Sequence, residues 1–128
     1  MRYLLALLSV SIAGAMYYET PDDRFDYTAI PLSELRDHVA CMLDKGPCSP
    51  MDASHRKDGP EAIRTECAKC SPDLKLTFLT FLNRVKAELP AEFEEYRRKY
   101  DPDGIHIDRL MDELNRHASE YTRTGVTN

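Results

Sequence analysis

An all-α domain of five to six helices, held at its corners by two local disulfides, is the fold class this sequence predicts. Three observations carry the prediction. Apolar residues recur at three- and four-residue spacing over most of the chain, and no stretch alternates at the two-residue period of a half-buried strand. Serine, proline and glycine fall where helices start and stop. Four cysteines, Cys41, Cys48, Cys67 and Cys70, follow an apolar leader, and export into an oxidising compartment favours disulfides over free thiols.

The elements follow in order. Residues 1–15 (MRYLLALLSVSIAGA) read as a signal peptide: Arg2 is the positive start, Leu4 to Ala13 the apolar run, and Ala13-Gly14-Ala15 a small-residue cleavage site. The run is too short to span a bilayer. Residues 16–31 contain Pro21 and Pro31 and read as an extended arm bearing Tyr17, Tyr18, Phe25 and Tyr27. The helical domain is expected over 32–121. Its first helix starts near Leu32 with Ser33 as N-cap, shows Leu35, Val39, Met42 and Leu43 on one face, and stops at Gly46-Pro47. Residues 48–59 read as loop with one turn of helix after Ser49-Pro50, and Pro60 opens the next helix, which carries Ala62, Ile63 and Cys67 on one side. Ser71-Pro72 is a strong start, with the hydroxyl as cap, proline at the first position and Asp73 near the positive helix end. The helix that follows runs to about Leu89 with a broad stripe of Leu74, Phe78, Phe81, Leu82 and Val85, widened by Leu76 and Leu79, as a central helix requires. Pro90 separates it from a helix with Phe93, Tyr96 and Tyr100 in line. Asp101-Pro102-Asp103-Gly104 is a turn. The last helix, Ile107 to Tyr121, places Ile107, Leu110, Met111, Leu114 and Ala118 together, and residues 122–128 read as a flexible tail.

Charge and composition exclude several functions. The 128 residues carry 17 Lys+Arg against 22 Asp+Glu, net −5, and loss of the leader removes Arg2 to leave −6. Nucleic acid and anionic membrane surfaces are poor partners for such a chain, and no later segment is apolar enough for membrane insertion. No Ser/His/Asp set, phosphate-cradling glycine loop or carboxylate dyad stands at usable spacing, so no enzyme activity and no cofactor are expected. The charges of Glu92, Glu94 and Glu95 with Arg97, Arg98 and Lys99 form a solvated helix face, and His106 and His117 read as surface residues.

Four cysteines allow three pairings, and spacing alone leaves the choice open. Gly46-Pro47 turns the chain so that Cys41 and Cys48 could close a small loop, and Cys67 and Cys70 could close a smaller one. A four-thiolate zinc site is disfavoured by the loose C-x6-C half and the exported context. A redox C-x-x-C lacks the βαβ setting that motif needs. No metal is therefore expected.

Four ordered segments resemble the insect chemosensory (OS-D-like) family between Val39 and Gly104: Cys41-Met-Leu-Asp-Lys-Gly-Pro-Cys48, Glu66-Cys67-Ala68-Lys69-Cys70-Ser71, Pro90-Ala91-Glu92-Phe93 and Lys99-Tyr100-Asp101-Pro102-Asp103-Gly104. The resemblance implies pairing of the first cysteine with the second and the third with the fourth. Rings this small contribute about 2 kcal/mol each and pin corners without locking helix to helix. The resemblance further implies a secreted monomer with an internal apolar channel that carries small hydrophobic ligands, such as long-chain fatty acids, alcohols, esters or other semiochemicals (odorants or pheromones), without catalysis. The residues expected along that channel are Leu35, His38, Val39, Met42, Leu43, Ile63, Phe78, Phe81, Leu82, Val85, Phe93 and Tyr96. Three departures from the family pattern stand out. His38 replaces an aromatic, usually tyrosine; Phe93 replaces a common tryptophan; and residues 16–35 match poorly. The unusually apolar helix after Pro72 supports an alternative, a secreted interaction protein with a filled core that binds a protein partner. His38 reads either as a boundary histidine bonded to backbone or water, or as a pH-sensitive group beside the channel.

Overall fold

The computed structural model describes residues 16–124. The signal peptide read in residues 1–15 and positions 125–128 of the expected tail lie outside the described residues. Among the described residues there are five helices: α1 (Leu32–Met42), α2 (Pro50–Arg64), α3 (Pro72–Glu88), α4 (Pro90–Tyr100) and α5 (His106–Arg123), preceded by one 3-10 turn at Tyr27–Ala29. No strand occurs among the described residues.

The centre is α3, which packs against α5, α4 and the 3-10 turn, while α2 packs against α1 and α5. Its start is as local chemistry dictates: Pro72 sits in the first turn and the Ser71 hydroxyl accepts from the Leu74 N–H at 3.1 Å. Leu74, Thr77, Leu79, Phe81, Leu82 and Val85 are buried along it. Leu82 and Val85 belong with Leu110 and Leu114 of α5 and Leu35 and Val39 of α1 to one core cluster. Leu89 closes α3 and Pro90 opens α4 at once. The turn into α5 is built on Asp101, a buried carboxylate that accepts from the backbone N–H groups of Gly104 (3.1 Å), Ile105 (3.3 Å) and Ile107 (2.9 Å).

Cys41 is bonded to Cys48 and Cys67 to Cys70, with Cα separations of 5.1 and 5.0 Å. The expected pairing is therefore the one present, and all four sulfurs are engaged in it. Each disulfide sits at a helix C-terminus closed by the same device. Asp44, at φ 60°, lets the Lys45 N–H reach the Ala40 carbonyl at 2.7 Å, and Glu66, at φ 56°, lets the Cys67 N–H reach the Ala62 carbonyl at 2.8 Å.

Three local expectations are corrected. Residues 50–59, expected as loop beyond one helical turn after Ser49-Pro50, form the first two-thirds of α2, and Pro60 lies inside that helix instead of opening it. The start is set earlier, by the Ser49 hydroxyl accepting from the Asp52 N–H at 3.1 Å with Pro50 in the first turn. Ala62 and Ile63, buried along one face, and Asp52, paired with His38, favour a continuous helix against the roughly 3 kcal/mol that an interior proline costs. Ser33 does not cap α1; Pro31 holds that position and no side chain bonds there. Helix α5 extends two residues past Tyr121, to Arg123.

Residues 16–31 contain little regular structure but are docked. The Thr77 hydroxyl donates to the Asp23 carbonyl (2.7 Å) and accepts from the Phe25 N–H (3.0 Å), and Thr80 accepts from the Tyr27 N–H (3.3 Å). Arg84 donates to the carbonyls of Tyr27 (2.8 Å) and Ile30 (2.5 Å). Tyr27 thereby becomes a core residue, 1% exposed.

Candidate ligand-binding cleft

One apolar cleft opens between the N-terminal segment, α2 and α3. Its deep wall is Met42 of α1, Leu74, Phe78 and Phe81 of α3, and Tyr96 of α4, with Tyr27 beside them. Its outer wall is Tyr18 and Thr20 of the arm and His55, Asp58 and Gly59 of α2, all half-buried, whereas most of the deep wall is buried. The position of Gly59 follows from the continuity of α2 through residues 50–59, so this rim exists because that segment is helical.

The cleft is narrow. Only about 40 Å³ of its space admits the centre of a water molecule. A single water needs roughly 10–15 Å³ by that measure, and an engineered apolar cavity that holds benzene is about 150 Å³. The room present therefore suits about three waters.

The lining is aromatic and ordered. Phe81 meets Tyr27 and Tyr96 edge-on at centroid distances of 5.1 and 5.7 Å, and Tyr96 continues to Tyr100 at 4.9 Å. Tyr100 donates its hydroxyl proton to the Met42 carbonyl at 2.6 Å, tying α4 to α1. Burial pushes the Tyr27 and Tyr96 hydroxyls far above the usual phenol range, so both stay protonated. Among the described residues the Tyr96 hydroxyl has no hydrogen-bond partner.

Four of the twelve residues expected along a channel line this cleft: Met42, Phe78, Phe81 and Tyr96. Leu35, Val39, Leu43, Ile63, Leu82, Val85 and Phe93 do not. They are 0–8% exposed and belong to the core between helices. Helical spacing identifies the buried side of an element but does not distinguish a side chain facing another helix from one facing empty space.

His38 also lies off the cleft, behind Tyr27, whose ring it meets edge-on at 5.2 Å. Its Nδ1 stands 2.7 and 2.8 Å from the two oxygens of the buried Asp52 carboxylate. The Asp52 hydrogen bond raises its pKa above the usual histidine value, opposed by burial. Protonation of His38 therefore completes an ion pair rather than placing a bare charge beside apolar surface.

Sequence reasoning missed the other ten lining residues, among them Tyr18, Thr20, Tyr27, His55, Asp58, Leu74 and Thr77. His55 is the most informative omission: its Nδ1 lies 3.3 Å from the Tyr27 hydroxyl. The linear signal was slight, although Leu74 and Thr77 do share the Phe78/Phe81 side of α3.

Among the described residues no three His, Cys, Asp or Glu side chains group as a metal site, and no helix is long and apolar enough to cross a membrane. Comparison with known proteins places the chain firmly. The family described as insect pheromone-binding family, A10/OS-D, matches residues 18–108. Ejaculatory bulb-specific protein 3 of Drosophila melanogaster is 32% identical over 114 residues, covering 85% of this chain and 90% of its own length. Allergen Tha p 1 of Thaumetopoea pityocampa is 33% identical over 119 residues, covering 86% of this chain and 94% of its own. No solved structure matches.

Proposed function

Because the chain belongs to the insect pheromone-binding family A10/OS-D, we propose that it is a secreted, monomeric carrier that sequesters small hydrophobic ligands in the cleft beneath the arm, without chemistry on the ligand and without a cofactor. The observation that supports this most is the cleft's lining: Met42, Leu74, Phe78 and Phe81 offer apolar contact, and polar groups gather at the rim. An acyl or alkyl chain lies along the Phe78/Phe81 face of α3 with its polar end toward α2.

The small free volume sets the mechanism. A chain enters only if Phe78, Phe81 and Met42 move aside, and methionine's flexible thioether suits such a wall. Each methylene then buried contributes about 0.8 kcal/mol, against several kcal/mol lost on association. Affinity in the micromolar range with broad selectivity is the expected balance.

The test is displacement of a fluorescent apolar probe from the oxidised protein by homologous alcohols. Affinity is expected to rise about fourfold per added methylene until the chain outgrows the cleft. The narrowness of the cleft supports the second reading, a filled-core protein that binds a protein partner. Absence of probe binding by protein that is helical and free of thiols would overturn the carrier and favour that alternative.

A further inference from the structure

His55 lies in the cleft wall, and its Nε2 is buried without a hydrogen-bond partner. The tautomer follows from counting protons. Tyr27 is 1% exposed, and the one group among the described residues placed to take its hydroxyl proton is His55 Nδ1, at 3.3 Å. If Nδ1 carried the ring proton instead, both the phenol proton and the Nε2 lone pair would be buried unpaired. With Tyr27 donating to Nδ1, a single orphan remains, an N–H at Nε2. Burying fewer unpaired groups is the favoured arrangement.

The ring is neutral near pH 7. Burial lowers its pKa, and His38 lowers it further; Asp52, Asp23 and Asp58 pull the other way, and burial prevails. The lining holds no lysine or arginine, and its one charged side chain is acidic, Asp58. Glu61 stands beside the same rim, accepting from the Tyr18 hydroxyl at 2.7 Å. The cleft wall thus holds an uncharged donor beside two rim carboxylates, each with a surface lysine near it: Lys57 at 3.9 Å from Asp58 and Lys69 at 3.6 Å from Glu61. A carboxylate seated there would be desolvated with no cation in the lining itself and would face Asp58.

We infer that the cleft selects ligands whose polar end is a neutral carbonyl, of the ester, aldehyde or ketone kind, accepting a hydrogen bond from His55 Nε2, and that it discriminates against long-chain carboxylates. The inference rests on the carrier reading and sharpens it, since apolar lining alone would rank ligands by chain length only.

The experiment is competition for a fluorescent apolar probe at pH 7.5, using an alkane, a methyl ester, an aldehyde and a free acid of one chain length, with wild type, His55→Phe, His55→Gln and Asp58→Asn, each verified as helical. In wild type the ester and aldehyde are expected to displace the probe at roughly fivefold lower concentration than the alkane, as one net hydrogen bond allows, and at least about tenfold lower than the acid. His55→Phe should abolish the carbonyl advantage while leaving the alkane unchanged, and His55→Gln, which keeps an N–H donor, should restore part of it. Asp58→Asn should narrow the gap between acid and ester, a readout independent of the histidine. An acid that binds as well as the ester overturns the inference while leaving the carrier intact. So does an ester advantage that survives His55→Phe. A probe that never binds overturns both.

Discussion

Asp52→Ala is the most informative single perturbation of this fold. The carboxylate is 6% exposed, its histidine partner 10%, and the contacts are 2.7 and 2.8 Å. Removing one member of such a pair leaves the other buried with its charge or its N–H uncompensated, at a cost of about 3 kcal/mol, the lower end of the usual range because His38 can shed its proton. For a domain of this size that lowers the melting temperature by roughly 12–18 °C. The substitution leaves the start of α2 intact, because Ser49 accepts from the backbone N–H of residue 52. The pH dependence has a definite sign. The Asp52 hydrogen bond raises the His38 pKa, burial opposes it, and Glu34, 3.8 Å from Nε2, adds a smaller upward pull. A raised folded-state value means the pair's stabilisation is complete below about pH 6.5, where the unfolded histidine titrates, and fades as pH rises through the higher folded value. His55 runs the other way, since burial lowers its pKa and Asp52 counters that burial; loss of Asp52 deepens the effect. Both terms make the gap between wild type and variant widest near pH 5.5–6 and narrowest near pH 8.5. Thermal unfolding followed by circular dichroism at half-unit steps measures it, with Asp52→Asn as a control that retains one acceptor and should fall between. A melting temperature within about 3 °C of wild type at pH 6, or a gap that widens with pH, would refute the reasoning.

Other consequences are equally concrete. Phe81→Ala removes the ring between Tyr27 and Tyr96; it should cost about 3 kcal/mol in urea denaturation yet tighten probe binding by enlarging the cleft, and weaker binding would contradict the assigned wall. Asp101→Ala should cost about 2 kcal/mol. Burial pushes that carboxyl up, but the N–H groups of Ile107, His106 and Ile105 outweigh it and hold it below the usual carboxylate range, so wild type should keep this stabilisation above about pH 3.9 and lose it on further acidification while the variant shows no such loss. The double substitution Cys67→Ser/Cys70→Ser should cost about 2 kcal/mol with helix content retained, as measured by circular dichroism and urea denaturation; a collapse of helicity would mean the ring holds more than its corner.

What could be read from the sequence was whatever is decided locally. Ser71-Pro72 and Pro90 start α3 and α4 because cap and proline chemistry act within four residues. The stripe on α3 identified it as central because nearly half a helix surface cannot be apolar and wet. Pro60 misled, since a proline that opens one helix and one tolerated inside another look alike until Asp52, Ala62 and Ile63 are seen to bury together. Tyr27 lay in a proline-bounded stretch without periodicity, and what buries it is a set of hydrogen bonds to α3, more than fifty residues away in the chain. The His38–Asp52 and Tyr27–His55 pairs join separate elements and leave no mark at any fixed spacing. The candidate cleft was accordingly legible at only four of its fourteen lining residues, Met42, Phe78, Phe81 and Tyr96.

The same contacts indicate where such a cleft would open. Neither disulfide joins the arm to a helix or one helix to a distant one; each closes a corner, between residues seven and three apart. Opening is therefore resisted only by non-covalent contacts, and these are unequal. From Asp23 to Ile30 the arm is fastened to α3 through Thr77, Thr80 and Arg84, with Tyr27 sunk in the core. From Tyr18 to Thr20 it is held to α2 and the turn after it by the Tyr18–Glu61 bond, a Tyr18 N–H to Lys69 carbonyl bond and a long 3.4 Å contact from Ser54 to the Glu19 carbonyl. Those bonds involve half-buried or exposed side chains, where water replaces a lost partner at smaller cost, whereas breaking the inner set would strand groups of the buried Thr77 and Tyr27. The arm should thus lift from its first residues and pivot near Asp23, uncovering Phe78 while Tyr27 stays in place. An open form populated at roughly one per cent would weaken apparent affinity about a hundredfold, so a cleft with good intrinsic complementarity still emerges as a micromolar carrier. In a carrier, the weak rim would then limit affinity and permit release.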